Sequence, residues 1–252
     1  MSGFEHAGFD LTGKVAWITG AGKGLGRAIA LALAGAGATL AVTSRTQADL
    51  TSLASEVGGA LVLPGSVADP SFADSAVAAI VAEHGRLDVC ATAAGISPTF
   101  RRSEQGSDDD WAHVLDVNLS GTYYCARAAG RQMLTQGSGS IITVSSVHAR
   151  TGFDRIAAYA ASKGGVEALS RVLAVEWAER GVRVNVLAPG YFHTDLSEGL
   201  VTSRWGERIL ANIPQHRVAA PPELGGAVVY LASDASSYTT GSTLTVDGGW
   251  TA

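Results

Sequence analysis

The run Val15-Ala16-Trp17-Ile18-Thr19-Gly20-Ala21-Gly22-Lys23-Gly24-Leu25-Gly26-Arg27 decides the reading of the fold. Its first five residues, almost continuously apolar, read as a strand covered on both faces. A turn with glycine at 20, 22, 24 and 26 follows at once, and an Ala/Leu-rich stretch of helical character follows that. Glycines let a backbone turn tightly and approach a pyrophosphate, and a helix N-terminus adds free N–H groups and a partial positive charge. A glycine cluster alone marks any tight turn. Between a strand and a helix, at the head of an alternating pattern, it reads as a dinucleotide-phosphate site built from Gly20, Lys23, Gly24, Leu25 and Gly26.

Further along the chain the same alternation continues. Short apolar runs at 15–19, 39–43, 60–63, 88–92, 140–145, 183–187 and 243–246 read as strands. Helical stretches at 24–35, 47–57, 71–84, 108–134, 157–180 and 222–233 lie between them. Acidic residues 108–110 and Pro221-Pro222-Glu223 mark helix starts. Strand–helix alternation predicts an α/β fold: a Rossmann-type, doubly wound, parallel seven-stranded sheet with helices on both faces. With no repeat, linker or low-complexity tract, residues 1–252 are expected to form one domain.

Composition excludes several classes. The 252 residues are 46% hydrophobic and 16% charged, enough for a large core. A net charge of −5 gives no electrostatic case for nucleic acid. Cys90 and Cys125 form no CxxC pair, so two reduced thiols in a cytoplasmic chain are expected. The N-terminal stretch carries Glu5 and Asp10 without a long apolar run, so no targeting segment is expected. The apolar stretch 28–42 is too short to span a membrane. Six histidines show no HExxH or clustered spacing, so no catalytic metal is expected.

In the dinucleotide fold an acid about 20 residues beyond the glycine turn takes the ribose 2′-hydroxyl. Here that place holds Ser44, followed by Arg45. No carboxylate repels a 2′-phosphate, and a guanidinium can bind one in bidentate fashion. Lys23, one of only three lysines, adds a second cation. The two cations can also be read as solvated surface groups. The expected cofactor is NADP(H).

Tyr159-Ala160-Ala161-Ser162-Lys163 opens the 157–180 helix. The i, i+4 spacing puts phenol and ammonium on one helical face. A free phenol has a pKa near 10, and a nearby cation lowers it by about 1–3 units. Ser146, at the end of the 140–145 strand, can donate to a carbonyl oxygen and share a developing alkoxide with Tyr159. Asn118 lies mid-helix among apolar residues, where its amide must find partners. Read alone, it is as much a structural residue as a catalytic one.

These motifs together resemble the short-chain dehydrogenase/reductase family in its single-domain form. The likeness extends over nearly everything from Leu11 onward. It includes Thr19–Gly26, Asn118, Ser146, Tyr159, Lys163, Pro189-Gly190-Tyr191-Phe192-His193-Thr194 and the ending Val246-Asp247-Gly248-Gly249. It implies a carbonyl/alcohol oxidoreductase with Tyr159 as general acid/base and Ser146 polarising the carbonyl. Lys163 would hold the nicotinamide ribose and lower the tyrosine pKa, and Asn118 would position a proton-carrying water. Ser66, Val67, Ala94, Gly95, Pro189, Gly190 and Thr194 would border the cofactor, with Thr194 on the carboxamide. The chain departs from the family at Thr92-Ala93, usually Asn-Asn, and at Ser66, usually Asp. Both places flank the adenosine half in relatives.

The resemblance also implies a homotetramer built from the 108–134 and 157–180 helices and the last strand. A small-molecule substrate is expected, with Ser97, His148, Arg150, Tyr191 and His193 lining its pocket and Trp205 capping it from a lid at 195–215. The Pro-Gly-Tyr-Phe and Asp-Gly-Gly-Trp segments are similar to sugar-acid dehydrogenases. Arg150 is then the cation for a substrate carboxylate, or else it points to solvent. An acyl-carrier-protein ketoreductase, a broad ketone reductase and a non-catalytic dinucleotide-binding protein are the alternatives.

Overall fold

Side chains of successive strand residues alternate between two buried faces. Ala16 and Ile18 pack into one apolar cluster, while Val15 and Trp17 pack into another. Leu40 and Val42 join the first cluster and Ala41 the second, and Val89 and Ala91 are split in the same way from Cys90. A strand buried on both faces needs apolar residues at every position, which is why these runs show no polar alternation.

The computed structural model describes residues 8–203 and 205–252. Residues 1–7, part of the stretch read for a targeting segment, and Arg204, within the expected lid, lie outside them. In chain order the main elements are β1 (Val15–Thr19), α1 (Gly24–Gly35), β2 (Thr39–Thr43), α2 (Gln47–Glu56), β3 (Leu61–Val62), α3 (Pro70–His84) and β4 (Val89–Thr92). Then come α4 (Asp108–Leu115), α5 (Gly121–Gln136), β5 (Gly139–Val144), α6 (Ala157–Trp177) and β6 (Val182–Pro189). The chain ends with α7 (Asp195–Val201), α8 (Gly206–Asn212), α9 (Gly225–Ala232) and β7 (Thr243–Val246).

The seven strands form one parallel sheet in the order β3-β2-β1-β4-β5-β6-β7. The order reverses beside β1, and in such sheets the crevice at the carboxyl ends of the strands is where ligands bind. Residues of α1 and α9 cover one face; residues of α3, α5 and α6 cover the other. Close approach of the second layer needs small residues. A Cβ on Gly130 of α5 would lie 2.5 Å from the Trp177 ring of α6.

Two regions differ most from the sequence reading. The helix expected over 108–134 is divided by a π-helical turn at Asp116–Ser120. Its cause is Asn118, which is fully buried and reaches sideways to the chain after β4. The Thr122 hydroxyl donates back to the Asn118 carbonyl at 2.8 Å. Single π turns of this kind recur at functional sites. In the expected lid, two seven-residue helices, α7 and α8, appear where no helix was expected. Each is too short to display the 3.6-residue apolar period.

In the single chain Ala161, Ala168 and Val172 are exposed, as are Val175 of α6, Trp111 of α4 and Tyr123 of α5. Among the described residues no helix is long and apolar enough to cross a membrane.

Candidate active site

The glycine turn after β1 is shaped by close approach. Gly20 (φ +69°) and Gly24 (φ +57°) occupy the left-handed region that glycine adopts without strain. A Cβ on Gly20 would lie 2.7 Å from the Ala94 backbone, and one on Gly26 would strike the Gly20 carbonyl. At Gly24 a Cβ would meet only the Thr194 side chain, at 3.6 Å. The N-cap of α1, Lys23, supplies no capping hydrogen bond, and no acidic residue lies in the first turn. The uncapped amides of that turn therefore fit an anionic group such as a pyrophosphate.

Around this cradle the expected cofactor residues take different roles. Ser44 is half-buried and donates to the Thr46 carbonyl at 3.2 Å. Arg45 is exposed and, among the described residues, enters no hydrogen bond or ion pair. Lys23 pairs with Asp195, the first residue of α7, at 3.0 Å, with both side chains exposed. Ser66 is exposed and its hydroxyl accepts from the Ala68 amide, while Val67 is buried. The Ala94 amide donates to the Thr19 hydroxyl at 3.3 Å. Pro189 closes β6, and Gly190 passes so near the Asp247 backbone that a Cβ would lie 2.7 Å from it.

Ser146, Tyr159, Lys163 and Asn118 meet at the carboxyl edge of β4 and β5. The Lys163 ammonium is buried, donates to the Val144 carbonyl at 2.8 Å and lies 5.7 Å from the centre of the Tyr159 ring. A Cβ on Gly95 would come within 3.3 Å of this ammonium and 3.5 Å of Asn118 Oδ1. The Asn118 amide is largely engaged: Oδ1 accepts from the Ile96 N–H at 2.8 Å, and Nδ2 donates to the Ile96 carbonyl and to the Ser162 hydroxyl. Burial pulls Lys163 down to about 8. It also raises Tyr159 above the ordinary phenol range, and the hydrogen bond with Ser146 offsets part of that rise. The sequence reading expected the cation to leave the phenol lowered. In the protein alone desolvation of the phenol outweighs its neighbours.

Beyond Ser146 the wall is aromatic. His148 Nε2 lies 3.0 Å from the Tyr191 hydroxyl, and its ring sits 5.3–6.1 Å from those of Phe153, Tyr191 and Trp250. Burial pulls His148 down to about 4, so it is neutral at pH 7, and burial also pushes the Tyr191 phenol up. Trp205 packs edge-on against Phe100 at 6.0 Å and beside Phe153 at 6.1 Å. A cavity of about 330 Å³ lies against Trp205, bordered by Gly152, Phe153, Asp154 and Arg208. Ser97 is half-buried after β4. His193 is exposed, with its amide donating to the Ala219 carbonyl. Thr194 approaches Ser197, its hydroxyl 3.2 Å from that of Ser197.

Arg150 is not brought into this group. Its Nε donates to the carboxylate of Glu167, on α6, at 2.8 Å. Its side chain is 49% exposed, so it faces solvent while paired to that carboxylate. Sequence reasoning missed Phe100, Phe153 and Glu167. Phe153 carried a usable signal, lying between Ser146 and Tyr159 in the chain, and so did Glu167, one helical turn beyond Lys163; Phe100 comes to the site only through folding.

The family model described as enoyl-(acyl carrier protein) reductase matches residues 20–251. D-threitol dehydrogenase of Mycolicibacterium smegmatis is 39% identical over 247 residues, which are 96% of this chain and 95% of that one. The 2-dehydro-3-deoxy-D-gluconate 5-dehydrogenase of Bacillus subtilis is 38% identical over 254 residues, 98% of each chain. A gluconate 5-dehydrogenase from Burkholderia cenocepacia, solved with NADP and tartrate, superposes with a TM-score of 0.93 at 35% identity, covering 96% of this chain and 97% of its own. The parallel sheet and the glycine turn at its switch point have the form of a dinucleotide-binding fold. The chain belongs to the short-chain dehydrogenase/reductase family.

Proposed function

We propose that this protein interconverts a ketone and a secondary alcohol with NADP(H), using Tyr159 as the acid/base. One observation carries the reading: the buried Lys163 ammonium lies 5.7 Å from the centre of the Tyr159 ring, with Ser146 the neighbour that lowers the phenol, at the strand edge that also holds the glycine cradle. The dinucleotide supplies or accepts the hydride at the carbonyl carbon. In reduction, Ser146 donates a hydrogen bond to the carbonyl oxygen and Tyr159 gives its proton to the forming alkoxide. In oxidation the phenolate takes that proton back. Lys163 holds the ribose, and Asn118 keeps the loop after β4 beside it through its two bonds to Ile96.

We read the substrate as a small carbonyl compound seated against His148, Tyr191, Phe153 and Trp205. Arg150 being held by Glu167 favours an uncharged polyol or ketose over a sugar acid. Arg208 beside the Trp205 cavity, and a relative named for a sugar acid, support the sugar-acid reading as the second choice. The exposed apolar side chains on α4, α5 and α6 favour the homotetramer; light scattering that finds only monomer at micromolar concentration argues against it.

A screen of NADPH oxidation and NADP reduction across tetritols, hexitols, gluconate-type acids and hydrophobic β-ketoesters identifies the substrate. On that substrate Tyr159→Phe lowers kcat by about two to four orders of magnitude with cofactor binding retained, because only the proton donor is lost. Near wild-type turnover in Tyr159→Phe overturns the reading and leaves another acid, while no turnover of any screened compound by wild type leaves a dinucleotide-binding protein.

Cofactor choice has its own test. Arg45, with no other partner among the described residues, is the cation for a 2′-phosphate, and a charge-assisted bond of about 1.5–3 kcal/mol corresponds to roughly tenfold or more in kcat/KM. Arg45→Ala should remove most of the preference for NADP(H), and Ser44→Asp should reverse it. A wild-type enzyme that prefers NADH in steady-state kinetics refutes the assignment.

A further inference from the structure

The carboxylate of Glu167 lies on α6 one turn beyond Lys163 and two turns beyond Tyr159, and its side chain is 5% exposed. Its two oxygens hold the two ends of one loop. Ser145 Oγ donates to Oε1 at 3.3 Å and also to the Lys163 carbonyl at 3.1 Å. Arg150 Nε donates to Oε2 at 2.8 Å, with Arg171 3.8 Å from the same oxygen. Between these anchors run Ser146, Val147, His148 and Ala149. That stretch is a tight turn, with the Ala149 and Arg150 amides donating to the Ser146 and Val147 carbonyls. A short turn held at both ends by one desolvated anion moves as a single body with the helix that carries the anion. Side chains held this way lose little freedom on reaching their working geometry, the condition for preorganised hydrogen-bond donors.

We propose that Glu167 is a positioning residue: with Ser145 and Arg150 it clamps the loop after β5 to α6 and so holds the Ser146 hydroxyl against the Tyr159 phenol. The inference rests on the reading of Tyr159 as the acid/base. The clamp touches neither the reacting atoms nor the phosphate cradle, so its loss separates turnover from cofactor binding. Tyr159 is faced by Lys163 from α6, by Ser146 from the loop after β5, and by Tyr191, whose hydroxyl carries His148, from the loop after β6. Of these, Ser146 is the group that lowers the phenol. Releasing the clamp therefore raises the phenol further.

The test compares wild type with Arg150→Ala, Arg150→Lys and Glu167→Gln, each labelled with ¹³C at tyrosine Cζ. The Tyr159 resonance is assigned by its absence in Tyr159→Phe. In Arg150→Ala and Glu167→Gln the Tyr159 resonance should shift and its titration midpoint should rise. On an identified substrate kcat should fall about tenfold, with NADP(H) affinity within twofold of wild type. Arg150→Lys should recover most of both effects. If Arg150→Ala does not fold, Glu167→Gln and Arg150→Lys carry the comparison. A Tyr159 resonance and midpoint that match wild type in folded variants overturn the clamp. Turnover that survives Tyr159→Phe refutes the acid/base reading instead, while the resonance still decides whether the clamp acts on Tyr159.

Discussion

A buried ammonium must be held by oxygen, and the rest of the site is arranged around that requirement at Lys163. Its partner is the carbonyl of Val144, the last residue of β5. For that bond to form, α6 must cross the end of the strand with its second turn level with the sheet edge. The same crossing puts Tyr159 beside Ser146, packs Gly165 of α6 against Leu119 of the π turn, and brings the Lys163 ammonium within 3.3 Å of where a Cβ on Gly95 would lie. Removing an ion from water is costly unless its hydrogen bonds are replaced, and burial accordingly lowers Lys163 to about 8. The lysine and the phenol are both displaced toward their neutral forms. Their working states are therefore set by what is placed against them, which gives Ser146 its leverage.

The strands and most helices were legible because both faces of a parallel sheet must be apolar, which leaves uninterrupted runs in the sequence. β1, β2 and β7 have the bounds that those runs predict. The π turn was not legible. Its cause is a tertiary bond from Asn118 to Ile96, 22 residues distant, and no local period records it. The lid helices were missed for a different reason, since seven residues hold fewer than two full turns.

In the site, the tyrosine and lysine spacing and the glycine turn were readable because each is a local pattern with one geometric meaning. The partners of the charges were not. Lys23 and Arg150 each read either as a cation for a ligand's anion or as a solvated surface group, and both side chains are exposed. Folding gave each an internal carboxylate, Asp195 and Glu167 respectively. Those pairs join residues 172 and 17 positions apart, and only the sheet topology brings them together. Arg45 is left as the cation beside the cradle without a partner among the described residues. The aromatic wall is likewise a product of topology, since Phe100, Phe153, Tyr191 and Trp250 come from four separate strand-end loops or segments.

The pH dependence of alcohol oxidation in wild type and in Ser146→Ala tests the central claim most directly, because it reads the phenol through the group that tunes it. With Tyr159 as the proposed base, oxidation requires the phenolate, so kcat/KM should rise with pH and level off once Tyr159 has ionised. Burial raises the phenol and the Ser146 hydroxyl lowers it. Removal of that hydroxyl should therefore move the rising limb to higher pH, in addition to lowering the plateau. A flat profile, or a limb at the same pH in both enzymes, would contradict the account.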